Sequence, residues 1–210
     1  MFPERLTDGY RAFKRGRFPA ERARYQQLAS GQAPTIMVIG CVDSRVSPEV
    51  IFDAAPGELL VARNVANLVP PCEPANNTQH GTSAALEFAV SALKVRHIVV
   101  LGHAFCGGIK AFAEDGAPLS SSDYIGHWMD QIAPAAVQLG PRDGMDDEAY
   151  LRKLEFASVE LSLRNLMTFP FVRAAVDKGE LSLHGAYFGV AAGLLLIRDE
   201  KTGQFQPAAD

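Results

Sequence analysis

Thr35-Ile-Met-Val-Ile-Gly40-Cys41-Val42-Asp43-Ser44-Arg45 is the stretch on which the fold turns. Its start, through Ile39, is an unbroken apolar run, the pattern of a strand buried on both faces, and such strands belong to parallel sheets covered by helices. Two more runs of this kind follow, Leu59-Leu-Val-Ala62 and His97-Ile-Val-Val-Leu101. Between them, Gly81 to Lys94 reads as a helix with Ala85, Phe88, Ala89 and Leu93 on one face. Leu181 to Phe188 reads as a fourth strand, and Leu194-Leu-Leu-Ile-Arg198 as an edge strand closed by the turn Lys201-Thr-Gly203. This alternation predicts an α/β fold, with a central, mostly parallel sheet of about four parallel strands plus an antiparallel edge strand and helices on both faces.

On the N-terminal side, residues 2–30 read as two short helices. Phe2, Leu6, Tyr10 and Phe13 recur at helical spacing, Arg17-Phe-Pro19 breaks the pattern, and a second stretch from Ala20 to Ala29 stops before Gly31. A thin apolar stripe on so basic a pair of helices cannot hold a fold alone. The arm, residues 1–32, is therefore expected to lie on the body or on a partner subunit. Farther along, Ser122 to Lys178 is helical in pattern. Ser122 is a candidate cap for a helix carrying Ile125, Trp128, Met129 and Ile132, and Asp146 or Asp147 starts a longer one through Met167. Phe169-Pro170 is a break, and Val172 to Lys178 is a last short helix ended by Gly179. With no repeat and no linker-like tract, residues 1–210 are expected to form a single domain.

The chain has 210 residues, 48% apolar and 21% charged, with a formal net charge of −4. That composition excludes a disordered chain and, lacking a long Lys/Arg run, argues against nucleic acid or an anionic membrane as partner. No apolar run approaches the roughly 18–20 residues of a bilayer span. Met1-Phe-Pro-Glu-Arg5 lacks the apolar core of a signal peptide, so a cytoplasmic protein is expected. Three cysteines, Cys41, Cys72 and Cys106, are too few for a disulfide framework.

Ligands of open parallel sheets bind at the carboxyl ends of the strands. The first strand runs into Cys41-Val-Asp43-Ser-Arg45, and the third into Gly102-His103-Ala-Phe-Cys106-Gly107-Gly108. If these strands are neighbours, Cys41, His103 and Cys106 converge. Two thiolates and an imidazole are donors that zinc prefers, and three protein ligands leave a fourth position open. Such a site lowers the pKa of bound water to about 7.

Cys41-Val-Asp-Ser-Arg-Val46, Pro56-Gly-Glu58, Arg63-Asn-Val-Ala-Asn-Leu-Val69 and Gly102-His-x-x-Cys-Gly-Gly108 resemble the motifs of the β-class carbonic anhydrases. The resemblance extends more loosely from the N-terminal helices through His184-Gly-Ala-Tyr-Phe188. It implies one zinc ion per chain bound by Cys41, His103 and Cys106, and reversible hydration of carbon dioxide to bicarbonate and a proton by zinc-bound hydroxide in a small apolar pocket. It also implies that Asp43 faces the metal's fourth position, either accepting a hydrogen bond from the hydroxide or displacing it, with Arg45 holding the carboxylate ionised and aimed. Some relatives have an inhibitory bicarbonate site with a tryptophan three residues before the first cysteine. Here that residue is Val38, and Arg63 alone is a weak anion site, so the plant-like arrangement with water on zinc is expected. Gln32 and Val65 match the plant-like pocket, while Leu60 stands where that pocket has an aromatic and Phe88 where it has a tyrosine; Leu60, Val65 and Phe88 read equally well as plain core residues. Gly107 is expected to offer backbone N–H groups to an anionic product, or else to serve a tight turn that needs glycine torsions. His80 is a candidate proton relay, His97 reads as structural, and Cys72 as inert. The family's dimers and higher assemblies imply a homo-oligomer.

Three other readings are weighed. The same site could hydrolyse carbon disulfide or carbonyl sulfide. A cysteine hydrolase could use Cys106 as nucleophile and His103 as base, which leaves Cys41 and the Asp43–Arg45 pair unexplained. A closed structural zinc module would need a fourth protein ligand, and only Asp43 is placed to supply one.

Overall fold

The computed structural model describes residues 1–74, 80–114 and 121–208. Among them, strands β1 (Ile36–Cys41), β2 (Leu59–Asn64), β3 (His97–His103), β4 (Ser182–Gly189), β5 (Leu194–Arg198) and β6 (Phe205–Pro207) form one sheet in the order β2-β1-β3-β4-β5-β6. The first four of these positions run parallel; β5 is antiparallel to β4, and β6 to β5. The pairing of β1 with β3, Gly40 opposite Leu101, is the one the convergence of the two motifs requires.

The unbroken apolar run of β1 follows from cover on both sides. Met37 and Ile39 pack with Leu86 and Val90, with Val159 and Leu166 of helix α8 (Asp147–Leu166) and with Val172 of α9 (Pro170–Asp177). Val38, facing the other way, packs with Leu101 and Ala186 and against Ile51 and Phe52. Helix α8 starts on a side-chain cap, the Asp146 carboxylate accepting the Ala149 N–H at 2.7 Å. It then lies directly on β3. A Cβ built on Gly102 would stand 2.7 Å from Val159 Cγ2, so only glycine lets helix and strand approach this closely beside His103.

Several boundaries differ from expectation for identifiable reasons. Leu194–Arg198 is not the edge: the Asp199 carboxylate accepts the Lys201 and Thr202 N–H groups, Gly203 turns the chain at φ +73°, and Phe205 stacks on Phe156 at 4.4 Å. The returning β6 is therefore the outer strand. Pro19 and Pro170 do not interrupt helices but lie in their first turns, where a missing N–H costs nothing. Helix α9 accordingly starts before Val172. The helix from Gly81 is regular as α4 (Gly81–Glu87), then widens into a π turn over Phe88–Ala92, with the Leu93 N–H donating to the Phe88 carbonyl. After α5 (Gly107–Ala113), helix α6 (Tyr124–Met129) begins behind Asp123 in a left-handed conformation, φ +52°, so Ser122 is not its cap. A short α7 (Ala133–Leu139) separates α6 from α8.

The arm consists of α1 (Glu4–Arg15) and α2 (Arg17–Leu28), neither with a buried residue. Phe13, Phe18 and Tyr25 cluster with ring centroids 5.5–5.9 Å apart, and α2 is tied to the body by Arg24, which donates to the Pro56 carbonyl and pairs with Glu58. Helix α1 is left with Leu6 and Tyr10, and Phe2 before them, 57–69% exposed. No helix among the described residues is long and apolar enough to cross a membrane.

Candidate metal centre

Cys41 is the last residue of β1 and His103 the last of β3; Cys106 directly precedes α5. All three are buried, and one donor atom from each lies within 4.8 Å of the other two. The His103 Nδ1–H donates to the Ala104 carbonyl at 2.9 Å, which fixes the tautomer and leaves Nε2 with a lone pair. That Nε2 is buried and has no hydrogen-bond partner. A buried polar atom without a partner is costly unless something occupies it, and here its surroundings are two thiols. Cys41 is the thiol of the pair inclined to ionise: the Cys106 thiol beside it lowers its pKa against the resistance of burial, and the Ala66 N–H reaches its Sγ at 3.3 Å. The Cys106 thiol is pushed up by its proximity to Cys41 and by burial. Burial works against a charged His103, but the neighbouring Cys41 sulfur outweighs it and raises the imidazole. The donor set and the orphaned nitrogen fit a zinc ion. Among the described residues no fourth His, Cys, Asp or Glu joins the group.

Asp43 stands at the rim, two residues beyond Cys41, and is held in place by Arg45. Its Oδ1 accepts from the Arg45 backbone N–H and Nε, both at 2.9 Å, and its Oδ2 from an Arg45 Nη at 2.6 Å. This fork holds the Asp43 carboxyl well below the usual carboxylate range. Arg63 is not aimed at an anion. Its Nε donates to the Cys41 carbonyl and an Nη to the Asp43 carbonyl, each at 2.7 Å, so it fastens the backbone of the Cys41–Asp43 turn.

The loop carrying His103 and Cys106 is tightly constrained. Phe105 adopts φ +58°, a region that bulky side chains avoid. Gly107 and Gly108, by contrast, lie outside that region, which removes the torsional reason for them. Gly108 is required by space, since a Cβ there would meet Val65 Cγ1 at 2.9 Å and Met129 Sδ at 3.1 Å. Two residues bearing on this loop escaped the sequence reading. Glu155 of α8 accepts the Cys106 N–H at 3.0 Å, and Tyr187 of β4 donates its hydroxyl to the other Glu155 oxygen at 2.6 Å; both are buried. Burial pushes the Glu155 carboxyl up, opposed by these donors. The signal was present in the phase of α8, because Glu155 lies on one stripe with Ser158, Val159, Ser162 and Leu166.

The other predicted positions are dispersed. Val65, just after β2, is half-buried beside α5, and its carbonyl accepts the Trp128 Nε1–H at 2.7 Å. Gly107 opens α5 and is exposed. Leu60 packs against the Met37–Ile39 side of the sheet, Gln32 is exposed between α2 and β1, and Phe88 is 47% exposed on its π turn. Within one chain these three are not gathered with the metal-ligand trio. Val38 is fully packed. His80 lines a cavity of about 360 Å3 with Arg63, Asn64, Thr82 and Trp128. His97 pairs with His184, Nδ1 to Nε2 at 3.1 Å, at the opposite end of β3. Cys72 is apart from the trio, its N–H bonded to Thr168 Oγ1.

Comparison with known proteins bears on what this centre is. A family model described as carbonic anhydrase matches residues 36–195. Beta carbonic anhydrase 3 of Arabidopsis thaliana is 36% identical over 194 residues, covering 90% of this chain and 74% of that protein. The solved β-carbonic anhydrase CcaA superposes with a TM-score of 0.91 at 30% identity, over 99% of this chain and 92% of that one. A structure from a report of two tetrameric β-carbonic anhydrases of Sordaria macrospora gives 0.81 at 29% identity, over 96% of both chains. With two thiols and an imidazole converging at the ends of neighbouring parallel strands, these likenesses carry one conclusion: the chain belongs to the β class of the carbonic anhydrase family.

Proposed function

We propose that this chain catalyses the reversible hydration of carbon dioxide to bicarbonate and a proton, the family's reaction, with one zinc ion held by Cys41, His103 and Cys106. The observation that carries the reading is the buried, unpartnered Nε2 of His103 between two thiols. Zinc bound by such donors supplies Lewis acidity, making hydroxide available from water near neutral pH. Asp43, kept ionised and aimed by Arg45, would accept a hydrogen bond from a hydroxyl at the centre and so turn an oxygen lone pair toward the carbon of carbon dioxide. Both Asp43 oxygens are engaged by Arg45, which favours this role over ligation of the metal. Val65 and Gly107 border the centre and would line the substrate pocket. His80, which lines one cavity with Arg63 and Asn64, is the residue proposed to relay the proton.

A homo-oligomer accompanies this reading. Helix α1 turns Leu6 and Tyr10 to solvent, and a second copy of the chain is the surface proposed to cover them. Gln32, Leu60 and Phe88, which do not approach their own chain's centre, are proposed to complete the pocket only in that assembly. The cytoplasm is the compartment this chemistry favours, since Cys41 and Cys106 must stay reduced to bind metal.

The test is zinc content and stopped-flow carbon dioxide hydration of the wild type, Cys41→Ser and His103→Ala. About one zinc per wild-type chain, with hydration lost in both variants, is expected. Hydration persisting in Cys41→Ser would overturn the ligand set. Release of hydrogen sulfide from carbon disulfide without carbon dioxide hydration would transfer the reading to the sulfur analogues.

A further inference from the structure

The peptide unit joining Phe105 to Cys106 is clamped at both ends. Its carbonyl oxygen, on Phe105, accepts from an Arg45 Nη at 3.0 Å, and its N–H, on Cys106, donates to Glu155 Oε1 at 3.0 Å. Beyond each clamp is a further anchor. Arg45 is forked onto Asp43, and Glu155 receives the Tyr187 hydroxyl. Tyr187 is in turn wedged edge-on against Phe156, with ring centroids 4.6 Å apart. One chain of hydrogen bonds therefore runs from Asp43 at the rim, through the backbone just before Cys106, to the interior between α8 and β4.

We infer that Glu155 and Tyr187 are positioning residues for Cys106, and that through the Phe105–Cys106 peptide they keep its sulfur pointed at Cys41 and His103. The loop has a reason to need such a device. Phe105 is left-handed at φ +58°, a conformation that is unfavourable for a residue with a side chain and persists only where its surroundings enforce it. If the peptide relaxed, the Cα–Cβ bond of Cys106 would swing with it. A carboxylate is also an expensive way to satisfy one buried N–H. Its second oxygen is what makes the choice intelligible, because it lets Tyr187 lock the carboxylate in one orientation from a different element of the fold. Partners that orient metal ligands typically change metal affinity or activity by about 10- to 100-fold when removed.

This inference rests on zinc binding at Cys41, His103 and Cys106, so the wild type is measured first. Zinc release from the purified protein into excess chelator, followed with a metal-sensitive dye, is compared for wild type, Glu155→Ala, Glu155→Gln and Tyr187→Phe. The thiolate-to-cobalt absorption band of the cobalt-substituted proteins and far-ultraviolet circular dichroism accompany it. Expected is release about 10- to 100-fold faster in Glu155→Ala, with a displaced cobalt band and unchanged secondary structure. Glu155→Gln, which keeps an acceptor for the Cys106 N–H, should recover most of the difference, and Tyr187→Phe should release zinc several-fold faster. A folded Glu155→Ala with wild-type release and spectrum overturns the inference. If that variant does not fold, Tyr187→Phe decides: faster release with a displaced band supports the assignment, and wild-type behaviour overturns it. A wild type that holds no zinc would end the proposed function and this inference together. Zinc in the wild type with unaltered release in the variants would end this inference alone.

Discussion

Replacing Arg45 with alanine tests whether Asp43 works by being aimed. The substitution removes two charge-assisted hydrogen bonds to the carboxylate, from Nε at 2.9 Å and Nη at 2.6 Å, and the tie to the Phe105 carbonyl. The backbone N–H of residue 45 still reaches Oδ1. Hydrogen bonds to a charged group are worth about 1.5–3 kcal/mol each. The Arg45 side chain is 46% exposed and that of Asp43 17%, so water replaces much of that, and a total of about 1–2 kcal/mol is the reasonable expectation. Expressed as rate, this is about a 5- to 30-fold fall in kcat/KM for carbon dioxide hydration by stopped flow. Zinc content should remain at the wild-type level. The sign with pH follows from the same pair. Arg45 lowers the pKa of Asp43, so the stability it confers is present above the ordinary carboxylate pKa and is lost as pH falls through the lowered one. Without the Arg45 side chain the carboxyl rises toward the ordinary carboxylate range and stays ionised at neutrality, so the loss near pH 7 reports aim rather than charge. Arg45→Lys keeps the charge without the fork and should recover less than half of the lost free energy. Wild-type kcat/KM in Arg45→Ala, or a fall that merely tracks zinc loss, would refute the reasoning.

Gly102→Ala should destabilise the fold by about 1–3 kcal/mol in chemical denaturation, because its Cβ would stand 2.7 Å from Val159 Cγ2. Pairing it with Val159→Ala should remove much of the clash, and additive losses in the double variant would contradict that account. Burial and His97 lower the pKa of His184 below 6.5, so its neutral form adds stability that is complete above about pH 6.5 and declines as pH falls toward the lowered value. His184→Gln should therefore flatten the dependence of Tm on pH below neutrality; an unchanged slope would exclude this pair as its source. Leu6→Glu with Tyr10→Glu should shift the sedimentation profile toward smaller species while leaving zinc content intact, whereas an unaltered profile would remove α1 from the interface.

The parts of the fold legible in the sequence were those with a period or a terminus. Met37 to Ile39 and Ile98 to Leu101 are apolar without interruption because both sheet faces are covered, and that pattern located the strands whose ends carry Cys41 and His103. What stayed hidden depends on contacts between distant segments. Phe205-Gln206-Pro207 is too short and too polar to declare a strand, and becomes one because Phe205 finds Phe156. Glu155 resembles any helix carboxylate until the Cys106 N–H and Tyr187 arrive beside it. Arg63 matched an anion-site arginine in the text, yet the neighbouring carbonyls of Cys41 and Asp43 absorb its donors. The placement of Gln32, Leu60 and Phe88 away from the trio was equally invisible, since motif spacing carries no information on which side of a strand or helix faces the centre.

The pairing of β1 with β3 has a consequence for how the protein matures. A growing polypeptide presents Cys41 well before His103 and Cys106, and the intervening text includes β2 and α4. No cation can be chelated by all three until the two parallel segments have docked, a non-local event that local helix formation does nothing to hasten. Metal acquisition at this centre would consequently be a late step, available only to chains whose sheet is already assembled. Once captured, the ion would rivet two central strands that no short turn connects, and its departure would loosen the middle of the sheet rather than an edge.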